Sequence, residues 1–263
     1  MKIHRIWALV SRHLYLYKRS LPRLMEVFYW PLLDLLLWGF ITIYLKEFKA
    51  NLPDYVTFFI GALILWDILF RSQSGISISF LEEVWSRNLL NLFVSPLRVS
   101  EFLVSTMLLS IFKVIAISVV SAILAMIFYS YNILSIGISL LPLVINLLIM
   151  GWAIGIVTTA VILRYGQQAE ILAWGLAFLF QPVSAVFYPV DVLPGFLQVI
   201  ARFVPSSHVF EGMRIAISGG GMPAKELIWA SGLNLIYLTS SIIFFNWTFK
   251  VAKVKGSLVK TGE

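Results

Sequence analysis

The chain has 263 residues, 60% of them hydrophobic and only 13% charged, against about 45–50% and about 25% in an ordinary soluble domain. A fold in water would leave too much of that apolar surface exposed, so a soluble enzyme, a disordered tail and a nucleic-acid-binding module are excluded and a bilayer is the main solvent. The formal net charge of +7 matters here through where the cations fall relative to the apolar stretches. The absence of cysteine removes disulfides, thiolate metal sites and cysteine nucleophiles. His4, His13 and His208 are too few and too scattered to suggest a metal site.

Residues 1–23 open the chain with charges interrupting every apolar run, and no small-residue cleavage site follows, so this is not a signal peptide. At about 100° per residue, Ile3, Ile6, Trp7, Val10, Leu14, Tyr17 and Leu21 share a stripe, with Arg5, Arg12 and Arg19 opposite. That pattern predicts an amphipathic helix lying in the membrane interface; a basic arm that only sets topology is the alternative.

Six stretches are long and apolar enough to be read as transmembrane helices: 24–45, 55–70, 102–129, 136–163, 169–187 and 227–249. The second extends into the polar run 72–79, where Ser72, Gln73, Ser74, Ser77 and Ser79 would line a path or meet water. Counted between spans, Lys2, Arg5, Arg12, Lys18, Arg19, Arg23, Arg71, Arg87, Arg98, Arg164, Lys250, Lys253, Lys255 and Lys260 fall on one side. Lys46, Lys49, Arg202, Arg214 and Lys225 fall on the other. The positive-inside rule then places both termini in the cytoplasm of a multi-pass protein of the cell membrane. The whole of 1–263 reads as one domain: the interfacial helix 1–23, a six-span bundle over 24–249 and a basic tail from 250.

Glu26, Asp34, Asp67 and Lys113 lie at or within the spans, where an ionisable group must face the bundle interior, a counter-charge or water. Asp34 and Lys113 sit at similar depth and would pair, as a tie between helices or as a substrate contact; Asp67 and Arg71, four apart, would satisfy each other. Gly151-x-x-x-Gly155 allows close helix approach, within the chain or between copies.

Two stretches are not spans. The first, 81–101 (LEEVWSRNLLNLFVSPLRVSE), has a charged start, then Leu89, Leu90, Leu92 and Phe93, closed by Pro96. It is too short to cross and needs a partner or the membrane surface if exposed, though a plain connector fits as well. The second, 181–226, is apolar but broken by Pro182, Pro189, Pro194, Gly195 and Pro205. Prolines at that density prevent one continuous helix, and broken apolar pieces at membrane depth survive only where protein covers them. Short re-entrant helices on the outer side are expected, with an ordinary aromatic-anchored loop as the alternative.

The stretches FYWPLLDLLLWGF (28–40), EEVWSRNLLNLFVSPLRVSEFL (82–103) and FYPVDVLPGFLQVIARFVPSSHVFEGMR (187–214), in this order, resemble the membrane subunit of ABC-2 type ATP-binding-cassette transporters. The most specific is the last, where Y-P-x-x-x-L-P is followed by P-x-x-H-x-x-E-x-x-R. The resemblance implies that 81–101 is a coupling helix that docks on a separate cytoplasmic ATPase subunit, with Glu82, Glu83, Trp85, Arg87, Asn88, Leu89 and Pro96 at or near the contact. It implies that Tyr188, Pro189, Leu193, Pro194, Pro205, His208, Glu211 and Arg214 belong to short helices closing the outer exit. It also implies a second copy of this chain or a related permease as partner, and an amphipathic, lipid-linked or drug-like cargo; polysaccharide and glycolipid exporters share the pattern. No G-x-x-x-x-G-K-[ST] occurs, and GGGMPAK (219–225) lacks its Gly-Lys-Ser/Thr end. The chain therefore binds no cofactor of its own, ATP and Mg2+ being expected on the ATPase. A membrane-embedded lipid-modifying enzyme is the rival from another class, but HExxH, GxSxG and paired-Asp motifs are all missing.

Overall fold

A computed structural model of the chain describes residues 1–48 and 55–255, and every regular element among them is helical. Of the residues named above, Lys49, Lys260 and the rest of the tail from 256 lie outside the described residues, as do the side chains of Glu26, Lys46, Leu90, Phe93 and Lys255. The helices in chain order are α1 (Ile3–Arg19), α2 (Leu21–Phe48), α3 (Tyr55–Trp85), α4 (Leu89–Val94) and α5 (Val99–Tyr129). They continue with α6 (Leu140–Tyr165), α7 (Glu170–Phe180), α8 (Gly195–Arg202), α9 (Pro205–Ile217) and α10 (Ala224–Lys255). Five segments are long and apolar enough to cross a membrane, within α2, α3, α5, the turn-plus-α6 unit and α10.

The fifth expected span, 169–187, is not one helix. α7 has 11 residues and rises about 16 Å at 1.5 Å per residue, roughly half of a hydrocarbon core of about 30 Å. Pro182 lacks the N–H that would continue the ladder, and the backbone turns. The Ser184 N–H returns to the Phe180 carbonyl at 2.8 Å, and Ala185 takes a left-handed φ of 54°. The stretch nevertheless tracks α3 along its length. Trp85 donates to Glu170 at 3.3 Å, the Gln73 amide donates to the Ala173 carbonyl at 3.1 Å, Phe178 packs on Phe70 at 5.1 Å, and Phe187 stacks on Phe59 at 5.3 Å. Residues 170–187 thus run antiparallel to α3, first as helix and then as turns. Apolar composition extended the expected span because it registers hydropathy and not the missing donor.

α3 is the central element, buried over most of its length between α2, α5, α6 and α7. The polar run expected to line a path or meet water is interior, with Ser74 on the wall of a cavity of about 240 Å3. The Ser72 hydroxyl donates to the Leu148 carbonyl at 2.9 Å, Ser79 to its own helix at Gly75 at 2.6 Å, and the Gln73 amide reaches Ser77 at 3.2 Å. With no water at that depth, helix carbonyls and neighbouring hydroxyls are what these groups bond to.

Close approach of α3 and α6 makes the Ser72–Leu148 bond reachable, and glycine makes the close approach. A Cβ on Gly151 would stand 2.6 Å from the Ser72 Cβ and 2.7 Å from the Leu69 carbonyl oxygen; one on Gly155 would stand 2.8 Å from the Gln73 carbonyl oxygen. The Gly151/Gly155 pair is therefore an internal seam between α6 and α3. Gly155→Leu forces the two backbones apart and is expected to destabilise the fold by about 1–3 kcal/mol, read as a lower melting temperature in detergent. An unchanged melting curve would show that the seam is not closely packed.

Candidate functional site

At one end of α3 the chain makes a sharp turn into α4. The Arg87 N–H bonds the Val84 carbonyl at 3.0 Å and the Asn88 N–H bonds the Glu83 carbonyl at 2.9 Å. Arg87 takes the left-handed φ of 53° between them, which is the pairing of a Schellman helix end. Beneath the turn three carboxylates point inward. Glu83 is 1% exposed and receives Arg12 at 2.9 Å and the Asn88 amide at 2.6 Å. Glu82 pairs with Arg23 at 3.1 Å, and the His13 ring lies 3.6 Å from both acids. Glu101, fully buried, accepts the Arg98 N–H at 2.9 Å and the Lys2 N–H at 2.7 Å, with Arg5 3.6 Å away. Arg5 also donates to the Pro96 carbonyl.

A buried carboxylate is tolerated only when its oxygens are met. Here Arg5, Arg12 and His13 come from α1 and Arg23 from the start of α2, so the acids fasten the N-terminal helices to the ends of α3 and α5. The expected outward line of cations is divided accordingly: Arg5 and Arg12 are turned onto Glu101 and Glu83, and Arg19 stays exposed. Of the residues expected at a docking contact, Glu83 and Leu89 are interior and Glu82 and Asn88 half-buried, while Trp85, Arg87 and Pro96 are exposed. Asn91, Val94 and Ser95 share that exposed face, with Val94 78% exposed. They lack the charge that would have drawn notice in the sequence.

The opposite end of the bundle holds the Pro-broken segment. Arg214 on α9 donates to the carbonyls of Ala185 and Tyr188, pairs with Glu211 at 2.9 Å, and lies over the Phe58 ring at 4.7 Å. Those carbonyls belong to the turns after α7 and have no helix to bond them, so the guanidinium fork supplies the missing donors. Burial pulls the Arg214 guanidinium below its usual value, against the opposing charge of Glu211. Glu211 also accepts the Val190 N–H at 2.8 Å, and the Tyr188 hydroxyl donates to the Pro182 carbonyl at 2.8 Å. His208 bridges Glu226 at 2.6 Å and the Arg202 carbonyl at 3.0 Å. Leu193 and Pro205 are buried, whereas Pro189 and Pro194 are exposed. All eight residues named for this segment thus belong to one braced cap.

Between these ends lies a cavity of about 600 Å3. Trp30 and Trp38 of α2, Trp66 of α3 and Trp174 of α7 line it, together with Asp34, Asp67 and Arg71. Arg71 donates to Asp67 at 3.0 Å, as the four-residue spacing suggested. The expected Asp34–Lys113 pair does not form. Asp34 faces Asp67 and Arg71, while Lys113 lies over the Tyr17 ring at 4.6 Å in a second cavity of about 240 Å3, lined also by Arg23 and Glu82. Arg71 and Trp174 line both cavities. The tryptophans come from three helices distant in sequence, so no local motif announces their convergence.

Among the described residues no three His, Cys, Asp or Glu cluster as a metal site. An all-helical bundle with five crossing-length helices and a cavity at mid-helix depth defines a polytopic membrane transport component. A profile of the ABC-2 family transporter proteins matches residues 39–249, and the protein belongs to that family. No curated protein matches the chain.

The ionic fastening has a direct consequence. Glu83→Ala strips the partner from Arg12 and Asn88 and should release α1. Limited trypsin digestion is expected to cleave at Lys18 and Arg19 about tenfold faster than in the unsubstituted protein, an increment worth about 1.4 kcal/mol. Equal cleavage rates would mean that α1 is held by its apolar face alone.

Proposed function

We propose that this protein is the permease subunit of an ATP-driven exporter, moving an amphipathic cargo through a bundle whose α4 end docks on a separate cytoplasmic ATPase. The observation that carries the reading is the construction of α4. Its underside, Leu89 and Leu92, is packed into the bundle, and the Schellman turn and inward acids fix the end of α3 beneath it. Asn91 and Val94 of α4 are exposed on its other side, next to the exposed Trp85, Arg87 and Pro96 of the flanking turns. An exposed face on a rigid base is what a push from a partner requires.

In this reading residues 170–187 complete the fifth of six crossings, supported by their antiparallel run along α3. Six crossings, with the basic residues counted above, put both termini and α4 in the cytoplasm and the Arg214-braced cap on the outer side. ATP and Mg2+ sit on the ATPase, and a second copy of this chain or a related permease completes the conduit. Closure of the paired ATPases on ATP would move the two α4 elements, and with them the two α3 helices.

The test is reconstitution with a cognate ATP-binding-cassette ATPase subunit. The purified chain alone is expected to hydrolyse no ATP, and the two together to co-purify and hydrolyse it. Val94→Asp places a charge on the exposed face and is expected to reduce co-purification about tenfold, as loss of a contact worth about 1.4 kcal/mol would. Hydrolysis by the chain alone, or a complex indifferent to Val94→Asp, would refute the division of labour.

A further inference from the structure

The larger cavity specifies a cargo more narrowly than the family does. Its volume of about 600 Å3 falls in the range that holds a drug-sized molecule. Four tryptophans line it, and indole is the strongest aromatic partner for a cation; the Trp38 ring is itself stacked on Phe187 at 5.2 Å. Among the described residues the charged groups on its walls are Asp34, Asp67 and Arg71. Asp67 and Arg71 neutralise each other at 3.0 Å. Asp34 makes no hydrogen bond or ion pair with a described residue, and its side chain is exposed beside Trp30 on α2. Ionised carboxylate inside a spanning helix is costly unless water or a counter-charge meets it. The cavity therefore holds one carboxylate more than its own guanidinium balances, next to four indoles.

We infer that this cavity binds a lipophilic organic cation, with the cationic centre against Asp34 and the apolar body against Trp30, Trp38, Trp66 and Trp174. Competing ligand chemistries fit less well. A Mg2+ or Ca2+ ion needs about six or more oxygen ligands, and these walls offer two carboxylates, one of them already holding Arg71. An anion would meet the acids, with the guanidinium already engaged. A neutral hydrocarbon would leave Asp34 unmet. The smaller cavity shares Arg71 and Trp174 as walls and carries Arg23 and Lys113 beside Glu82, so its lining does not favour a cation in the same way. The inference deepens the permease reading by naming the chemical class of its cargo.

The test is equilibrium binding of radiolabelled tetraphenylphosphonium to the full chain in lipid nanodiscs, with tetraphenylborate as a competitor of the same shape and opposite charge. Saturable binding at one site per chain is expected, weakened about tenfold by Asp34→Asn and untouched by tetraphenylborate. Trp174→Ala, at a half-exposed position, is expected to weaken binding about fivefold, and it reads the site if Asp34→Asn fails to fold. Absence of saturable binding would overturn the inference. So would full affinity in a folded Asp34→Asn or Trp174→Ala variant, or equal displacement by tetraphenylborate. No ATPase enters the assay, so a chain that binds the cation yet recruits no ATPase would count against the permease reading alone.

Discussion

The burial of α3 is the constraint on which the other features depend. It is a helix of 31 residues that carries polar side chains at every depth, from Asp67 and Arg71 through Ser72, Gln73 and Ser79 to Glu82 and Glu83. In hydrocarbon each of these is costly to leave unmet. Most of their polar atoms are met by a neighbour or by α3 itself, through Leu148 of α6, Ala173 of α7 and Arg12 and Arg23 of the N-terminal segment, while the Gln73 side-chain oxygen finds no donor among the described residues. The Ser72–Leu148 bond is short because Gly151 and Gly155 admit the α3 and α6 backbones to contact. Polarity, which would weaken a lone spanning helix, is here what fixes α3 in register with its neighbours.

A rod fixed in that way ties the two functional regions together. α4 hangs from one end of α3 through a three-residue turn whose carbonyls and amides are paired, while Trp66, Asp67 and Arg71 of the same helix wall the cavity. A displacement of α4 cannot be absorbed in a loose loop and passes into the helix that shapes the chamber. At the far end Arg214 performs the complementary task. It holds the carbonyls that α7 leaves open after Pro182, so an interrupted segment keeps a defined shape next to Phe58 and Phe59 without a continuous helix.

The sequence made some of these features legible and hid others for physical reasons. Long apolar runs located α2, α5, α6 and α10, because hydropathy summed over about 20 residues is a strong signal. The i,i+4 spacing of Asp67 and Arg71 was enough to pair them. The resemblance places Glu82 and Glu83 at or near the docking contact, and only the packing of the N-terminal helices turns them inward. Gly151 and Gly155 were open to either an internal or an intermolecular seam, since small residues mark closeness and not the identity of the neighbour. The cavity was invisible because its walls converge from helices far apart in the chain. Asp34 was matched to Lys113 on depth alone, and depth does not say which way a helix faces.

The rigidity of the link between α1, α3 and α4 is open to direct measurement, since the chain has no native cysteine to compete with introduced labels. Spin labels on Val94→Cys and Leu16→Cys, both exposed positions, report the distance between α4 and α1 by double electron–electron resonance. One narrow distribution is expected, and in the proposed complex with an ATPase it stays unchanged when ATP is added. A broad distribution, or one that shifts with ATP inside a single subunit, would mean that α4 moves on its own and that α3 carries nothing to the cavity.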